Sequence, residues 1–296
     1  MKLAVIVVNF NDIIDTKRYV NKIAEYKVID KIVVVDNKST NPENSFELLQ
    51  ELKSKKVEVI QTEKNGGYTY GNNFGINYLK SKNEEYDYYA ISNPDIDISE
   101  DAIEKCVKFL EENEKAGVVA PRMMDGNGNW VRRSSWKFRT FKREVVHSLR
   151  ILEVLFYSVL RNGEYSETDY KNPVLKVEAI SGAFFIIKKE VLDKINMFDE
   201  NVFLFYEEDI LAKQVQNLGL EIYSLNDISF KHYESQTIGK TFTYFKKMKE
   251  LYKSKIYYHK TYTKLNKFQV LIFKLLRGIR IIELLVEVPI RKILKK

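Results

Sequence analysis

Apolar residues enter this chain as short unbroken runs, each closed by polar side chains and followed by a helical repeat. LAVIVVNF at 3–10 is rich in Val and Ile and shows no polar alternation, the pattern of a parallel strand covered on both faces. Asn9, Asn11 and Asp12 close it and open a helical stretch to about Tyr26. KIVVVDNKSTN at 31–41 repeats the arrangement, ending in Asp36, Asn37 and Ser39, and a helix from about Pro42 to Lys53 leads to a third strand, VEVIQT. This β-α-β-α-β order predicts a right-handed parallel half-sheet of the kind that receives nucleotides.

The stretch after the third strand, EKNGGYTYGNNFGINYL at 63–79, reads as a glycine-rich turn. Gly66, Gly67 and Gly71 permit positive φ or close approach of a ligand, and Asn65, Asn72 and Asn73 offer amides. It is neither G-x-G-x-x-G after the first strand nor a Walker A loop, so hydride transfer and P-loop chemistry lack their usual signature. A fourth apolar run, YDYYAIS, ends in ISNPDID at 91–97, and a helix capped by Ser99 follows. Asn93 and Asp95 therefore stand at the carboxyl end of a buried strand, where open α/β sheets bind ligands. An oxygen ligand there can hold a divalent cation against a diphosphate, or simply close an Asx turn.

GVVAPRMMDGNGNWVRRSSW at 117–136 predicts a strand, a tight turn and a returning strand, hence a mixed sheet. Basic and aromatic residues interleave from Arg132 to Arg143, through Arg133, Trp136, Lys137, Phe138, Arg139, Phe141 and Lys142, and a helix with a broad apolar face continues to about 162. That stretch suits a phosphate-bearing acceptor, a membrane surface, or plain solvation. The next strand carries Ser181 and Gly182, small enough for a substrate to lie against backbone. LFYEEDILAKQVQNLG at 204–219 starts a helix with Glu207, Glu208 and Asp209 and stops it at Gly219. Acids at a helix start favour the macrodipole, yet Phe205 and Tyr206 just before them place these in partly desolvated surroundings where a carboxylate can act as a base. His232 follows a later strand, as a structural histidine or a ligand.

Composition narrows the classes. The single cysteine, Cys106, rules out an intramolecular disulfide and reads as core. No secretory signal and no run of about 18 apolar residues is seen, so a cytoplasmic location is expected. The net charge of +7 is concentrated at the end: from Lys240 onward sixteen Lys or Arg face three Glu, and the preceding part is slightly acidic. Nucleic acid is not expected as a partner, because this charge lies on one apolar tail without a recognition motif. In that tail Lys274, Arg277, Arg280, Glu283 and Glu287 recur every three or four residues on an otherwise apolar helix. Residues 240–296 are thus expected to form a basic amphipathic extension, lying on an anionic leaflet or packing on the domain or a second copy in a homodimer.

Taken in order, VVNFND, VVVDNKS, NGGYTYGNNFGI, NPD, SGAFFIIKKEVLDKINMFDE, FYEED and His232 resemble the family 2 inverting glycosyltransferases of the GT-A fold, rhamnosyltransferase-like branch, over residues 3–239. The resemblance implies a GT-A domain at 1–239: an α/β, Rossmann-like, mostly parallel mixed sheet flanked by helices, with the helical extension after it. It implies that Asn9 and Asn11 line the base or ribose pocket, that Asp36 bonds the base, and that Asn65, Gly67, Asn73 and Asn93 complete the nucleotide site. The family's Asp-x-Asp element falls on Asn93, Pro94 and Asp95, leaving Asp95 as metal ligand with His232 for Mg²⁺ or Mn²⁺; Asp97 falls outside it, as a turn or capping residue. Glu208 and Asp209 match the catalytic Glu-Asp element, with Asp209 as base. A donor such as dTDP-rhamnose or a UDP-hexose, a lipid-linked or oligosaccharide acceptor in bacterial surface polysaccharide synthesis, and a peripheral place at the inner face of the plasma membrane follow as expectations. A sugar nucleotidyltransferase would carry a Gly- and Arg-containing loop after the first strand, where NFND stands, and a silent scaffold would have lost the acids.

Overall fold

The structure, a computed structural model, describes residues 1–132, 134–157, 161, 163–233 and 244–294, the side chains of 244, 245 and 286–294 excepted. Strands β1 (Leu3–Asn9), β2 (Lys31–Asp36), β3 (Val57–Gln61) and β4 (Tyr88–Ser92) run parallel in the order β3-β2-β1-β4. Alternate residues of β1 enter two separate cores, as its continuous apolar run requires. Leu3, Val5 and Val7 meet Tyr19 and Ile23 of α1 (Ile13–Ala24), while Ala4 and Ile6 meet Ile76 and Leu79 on the opposite face. Between Pro42 and Lys53 the expected single helix is instead one turn, α2 (Phe46–Leu49), between two 3-10 turns. Asn44 explains part of the break, since its side chain turns away to accept from the Ile13 N–H at the start of α1.

Most of the expected glycine-rich turn is helix α3 (Tyr68–Ser81). Gly71 and Gly75 lie inside it because β1 and β2 approach so closely: a Cβ on Gly71 would stand 2.8 Å from Val8, and one on Gly75 2.9 Å from Ile6 and Val35. After β4 comes a short strand, β5 (Ile96–Ile98), and then α4 (Glu100–Glu112), capped by Ser99 as its sequence indicates, with Cys106 buried. Asp97 is no turn residue: it lies on β5 and pairs with Lys22.

β6 (Ala116–Asp125) turns at Asn127 and Gly128, but the return is a single bridge between Met124 and Trp130. Along one edge of β6, β11 (Glu221–His232) pairs in parallel as far as Asp125. The chain goes instead to β7 (Ser135–Trp136), which pairs with β9 (Ala179–Ile180) off the main sheet. α5 (Phe141–His147) and α6 (Arg150–Leu155) follow, divided at Ser148 and Leu149. The sheet is mixed, as expected, through β10 (Phe184–Lys188), antiparallel to β4 and β6, and through β5 and β8 (Val174–Val177), antiparallel to β11. α7 (Lys189–Lys194) and α8 (Glu207–Asn217) complete this part, and α9 (Tyr244–Thr261) and α10 (Lys267–Leu294) form the extension. Arg133 and residues 234–243 of the segments read above lie outside the described residues.

Candidate active site

The polar ends of β1 and β2 form one hydrogen-bonded patch. Asp36, fully buried, accepts from Asn9 Nδ2 at 2.9 Å, Ser39 Oγ at 2.5 Å and Gln61 Nε2 at 2.8 Å. Asn9 Oδ1 accepts in turn from Thr16 Oγ1 at 3.0 Å. Asn11 holds the neighbouring loop, its Oδ1 accepting from the Thr40 and Asn41 N–H groups, both at 2.9 Å. Asn65 Oδ1 accepts from Asn37 Nδ2 and from Gly67 N, both at 3.1 Å, so the β2 tip and the start of α3 are tied together. Asn73 departs from expectation. Its Nδ2 donates to Phe198 O at 2.8 Å and Glu200 Oε1 at 2.7 Å, and its Oδ1 accepts from Phe198 N at 3.1 Å. Asn73 thus fastens the loop leading to the acids.

Asp95 and His232 meet because β5 pairs with β11. The register sets Ile96 opposite His232 and ties Tyr233 N to Asp95 O at 2.9 Å, which leaves His232 Nε2 3.3 Å from the buried Asp95 carboxylate. The charge of Asp95 is felt by Asp15 on α1. Asp15 has its pKa raised by burial and by the negative charges of Asp12 and Asp95, against the pull of Arg18. Among the described residues no cluster of three or more such side chains has metal-ligand geometry. The donor set still fits a divalent ion: one carboxylate and one imidazole, in anionic surroundings, leave further positions for diphosphate oxygens and water.

At the other end, Glu207, Glu208 and Asp209 start α8 in three different settings. Glu207 is pushed furthest toward its neutral form by burial and by Glu208, and its Oε2 is buried without a hydrogen-bond partner. Glu208 Oε1 accepts from Gly182 N at 3.2 Å. Asp209, 4% exposed, accepts from the indole of Trp136 at 3.0 Å. Burial raises its pKa, while Arg139 and the Trp136 N–H pull the other way. A buried carboxylate aimed by an N–H donor and kept ionisable by a nearby guanidinium is the chemistry of a general base.

The turn from Ser181 to Ala183 joins the two ends. Gly182 O accepts from Tyr68 Oη at 2.6 Å while its N–H reaches Glu208, and the next residue's carbonyl, Ala183 O, accepts from Asn93 N at 2.8 Å. Thus the Asn93–Asp95 element and the start of α8 touch opposite sides of one turn. Gly182 is needed for this closeness, since a Cβ there would stand 3.2 Å from both Glu208 Oε1 and Tyr68 Oη. Nothing in the sequence marks Trp136 and Arg139 as partners of Asp209. A two-residue strand has no periodicity, and only the β7–β9 pairing aims the indole.

Residues 4–195 match the family model described as glycosyl transferase family 2. The low-salt glycan biosynthesis hexosyltransferase Agl10 of Haloferax volcanii is 27% identical over 207 residues, 70% of this chain, and the match spans 59% of that protein's own length. Two solved structures share the fold. GalNAc-T7, crystallised with UDP, GalNAc and Mn²⁺, superposes with a TM-score of 0.58 at 15% identity, over 78% of this chain and 43% of that one. The mannosyltransferase PcManGT of Pyrobaculum calidifontis, in complex with GDP-Man and Mn²⁺, does so with a TM-score of 0.52 at 15% identity, over 86% of this chain and 62% of the other. The fold is therefore GT-A-like, and since the matched segment runs from β1 through α7 and takes in the Asn93–Asp95 element and Gly182, the chain belongs to glycosyl transferase family 2.

Proposed function

We propose that the chain transfers a sugar from a nucleotide-diphosphate donor to a glycan hydroxyl in one inverting displacement. The buried Asp209 carboxylate, oriented by Trp136 across the Gly182 turn from Asp95, carries this reading. Asp209 takes the proton of the attacking hydroxyl; the leaving diphosphate needs no acid and no protein nucleophile is formed. Glu208 holds Gly182, and the turn at Gly182 sets the wall against which the sugar lies. Asn9, Asn11, Asp36, Asn65, Gly67 and Asn93 receive the nucleoside end. Asp95 and His232 would hold Mg²⁺ or Mn²⁺, which supplies positive charge to the departing diphosphate. A hexosyltransferase among the relatives supports a hexose donor, a UDP-hexose or, following the rhamnosyltransferase-like resemblance, dTDP-rhamnose.

The acceptor we propose is a lipid-linked glycan of surface polysaccharide synthesis, met at the inner face of the plasma membrane. On α10, Phe268, Leu271, Leu275, Ile279, Ile282 and Leu285 form an exposed apolar stripe, and on α6 Ile151, Val154 and Leu155 are exposed as well. Arg150 N donates to Glu283 at 3.1 Å, so the two helices stand side by side. Lys264, Lys267 and Lys274 are exposed beside the stripe, a combination suited to an anionic leaflet. No described helix is long and apolar enough to cross a membrane. A thermal-shift panel of nucleotide sugars with and without Mn²⁺ tests the donor reading. The cognate donor should raise the melting temperature only with the ion, and no shift with any nucleotide would remove the reading.

A further inference from the structure

Residues 199–206, which lead into the catalytic helix, are held from two sides. On the donor side the α3 start presses against them: Gly67 has φ +94°, and a Cβ there would stand 2.2 Å from Phe203 O. On the other side lies α9, outside the segment matched by the family. Ser254 Oγ donates to Leu204 O at 2.8 Å, and the hydroxyls of Tyr257 and Tyr262 both donate to Asp199 Oδ2 at 2.6 Å. The ring of Tyr258 packs on that of Tyr206, with centroids 5.4 Å apart. Glu144 of α5 sits at the centre, with no exposed surface. Its Oε1 accepts from Tyr206 Oη at 2.9 Å, its Oε2 lies 2.7 Å from Lys255 Nζ, and Arg139 and His259 approach Oε1 at 3.7 and 3.8 Å.

Phe205 and Tyr206 both have left-handed backbones, with φ of 71° and 70°. Bulky L residues rarely adopt this conformation, and it persists where the surroundings over-determine it. Tyr206 is also the N-cap of α8, and its side chain makes no capping bond there. The first turn that carries Glu207, Glu208 and Asp209 is therefore set by what grips Tyr206 from outside. Truncating one partner of such a buried hub leaves the other charge buried and unpaired, so its members hold one another in place.

We propose that Glu144, Lys255 and Tyr206 form a positioning clamp by which helix α9 holds the first turn of the catalytic helix, and with it Asp209, in its working place. This rests on the reading of Asp209 as the base. The extension is then part of the catalytic unit, because α9 supplies the Lys255 and Tyr258 contacts that hold the start of α8.

Hydrogen exchange on the full chain reads the clamp without reference to turnover. Tyr206→Phe removes one hydroxyl and keeps the ring on Tyr258; Lys255→Met removes the cation. In each, amides of 203–210 should exchange about 10-fold faster while those of β1 and β4 keep their protection. With the nucleotide sugar that the wild type uses, both variants should lose about 10-fold or more in kcat with donor KM within about twofold, as expected of a displaced base. Unchanged exchange over 203–210 in Tyr206→Phe overturns the clamp whether or not any sugar is transferred. A wild type that transfers no sugar, while exchange behaves as stated, overturns the transferase reading and leaves the clamp standing.

Discussion

Asp209 combines two opposed influences, and each has a consequence at the residue scale. As the proposed base it works only when deprotonated, so kcat/KM should fall as pH drops through a pKa that burial has raised above the ordinary Asp range. The Trp136 N–H favours the ionised form; Trp136→Phe should move this acid limb to higher pH in a kcat/KM profile. Asp209→Asn should lower kcat by about 10²- to 10⁴-fold with donor affinity kept. It should also raise the melting temperature at neutral pH. A carboxyl with a higher pKa in the folded state stabilises the fold most when protonated, and that contribution is lost as pH rises from the unfolded to the folded value, so the ionised base weighs on the fold at pH 7. Calorimetry of the two proteins at pH 7 checks the sign.

At the scale of elements, short contacts decide which substitutions matter. Gly67→Ala meets Phe203 O and an unfavourable φ together, and urea unfolding should show a loss on the order of 3 kcal/mol. Asn73→Ala leaves the Phe198 N–H and carbonyl without partners and should destabilise by about 2–3 kcal/mol with nucleotide affinity unchanged. The same elements show where sequence reading succeeds and stops. β1, β2 and β4 are legible because strands covered on both faces need uninterrupted apolar runs, and α4 because Ser99 caps it. α3 is obscured by its glycines, which read as turn residues in sequence but serve close packing on β1 and β2. β5 is three residues long, yet its pairing with β11 brings His232 to Asp95. Asp95, Glu208, Asp209 and His232 were all named from motifs. Trp136, Arg139 and the Glu144 hub were not, since their roles come from residues far apart in the chain.

For the whole molecule, the exposed apolar stripe on α10, with Lys264, Lys267 and Lys274 exposed near it, is the surface proposed to meet a leaflet. The full chain should float with vesicles containing anionic lipid and be released by salt, because screening weakens the lysine contribution and leaves the apolar one. No flotation with anionic or neutral vesicles, together with dimers in light scattering, would assign the stripe to a second copy. The central claim, that Asp209 is the base for transfer from a sugar nucleotide at a site completed by Asp95, is tested most directly by product formation. Wild type, Asp209→Asn and Asp95→Asn would be incubated with the donor selected by thermal shift, Mn²⁺ and a lipid-linked acceptor, and the product's anomeric configuration read by NMR. The account predicts an inverted linkage from the wild type and a loss of at least about 100-fold in Asp209→Asn. A retained anomeric configuration, or an Asp209→Asn protein as active as the wild type, would contradict it.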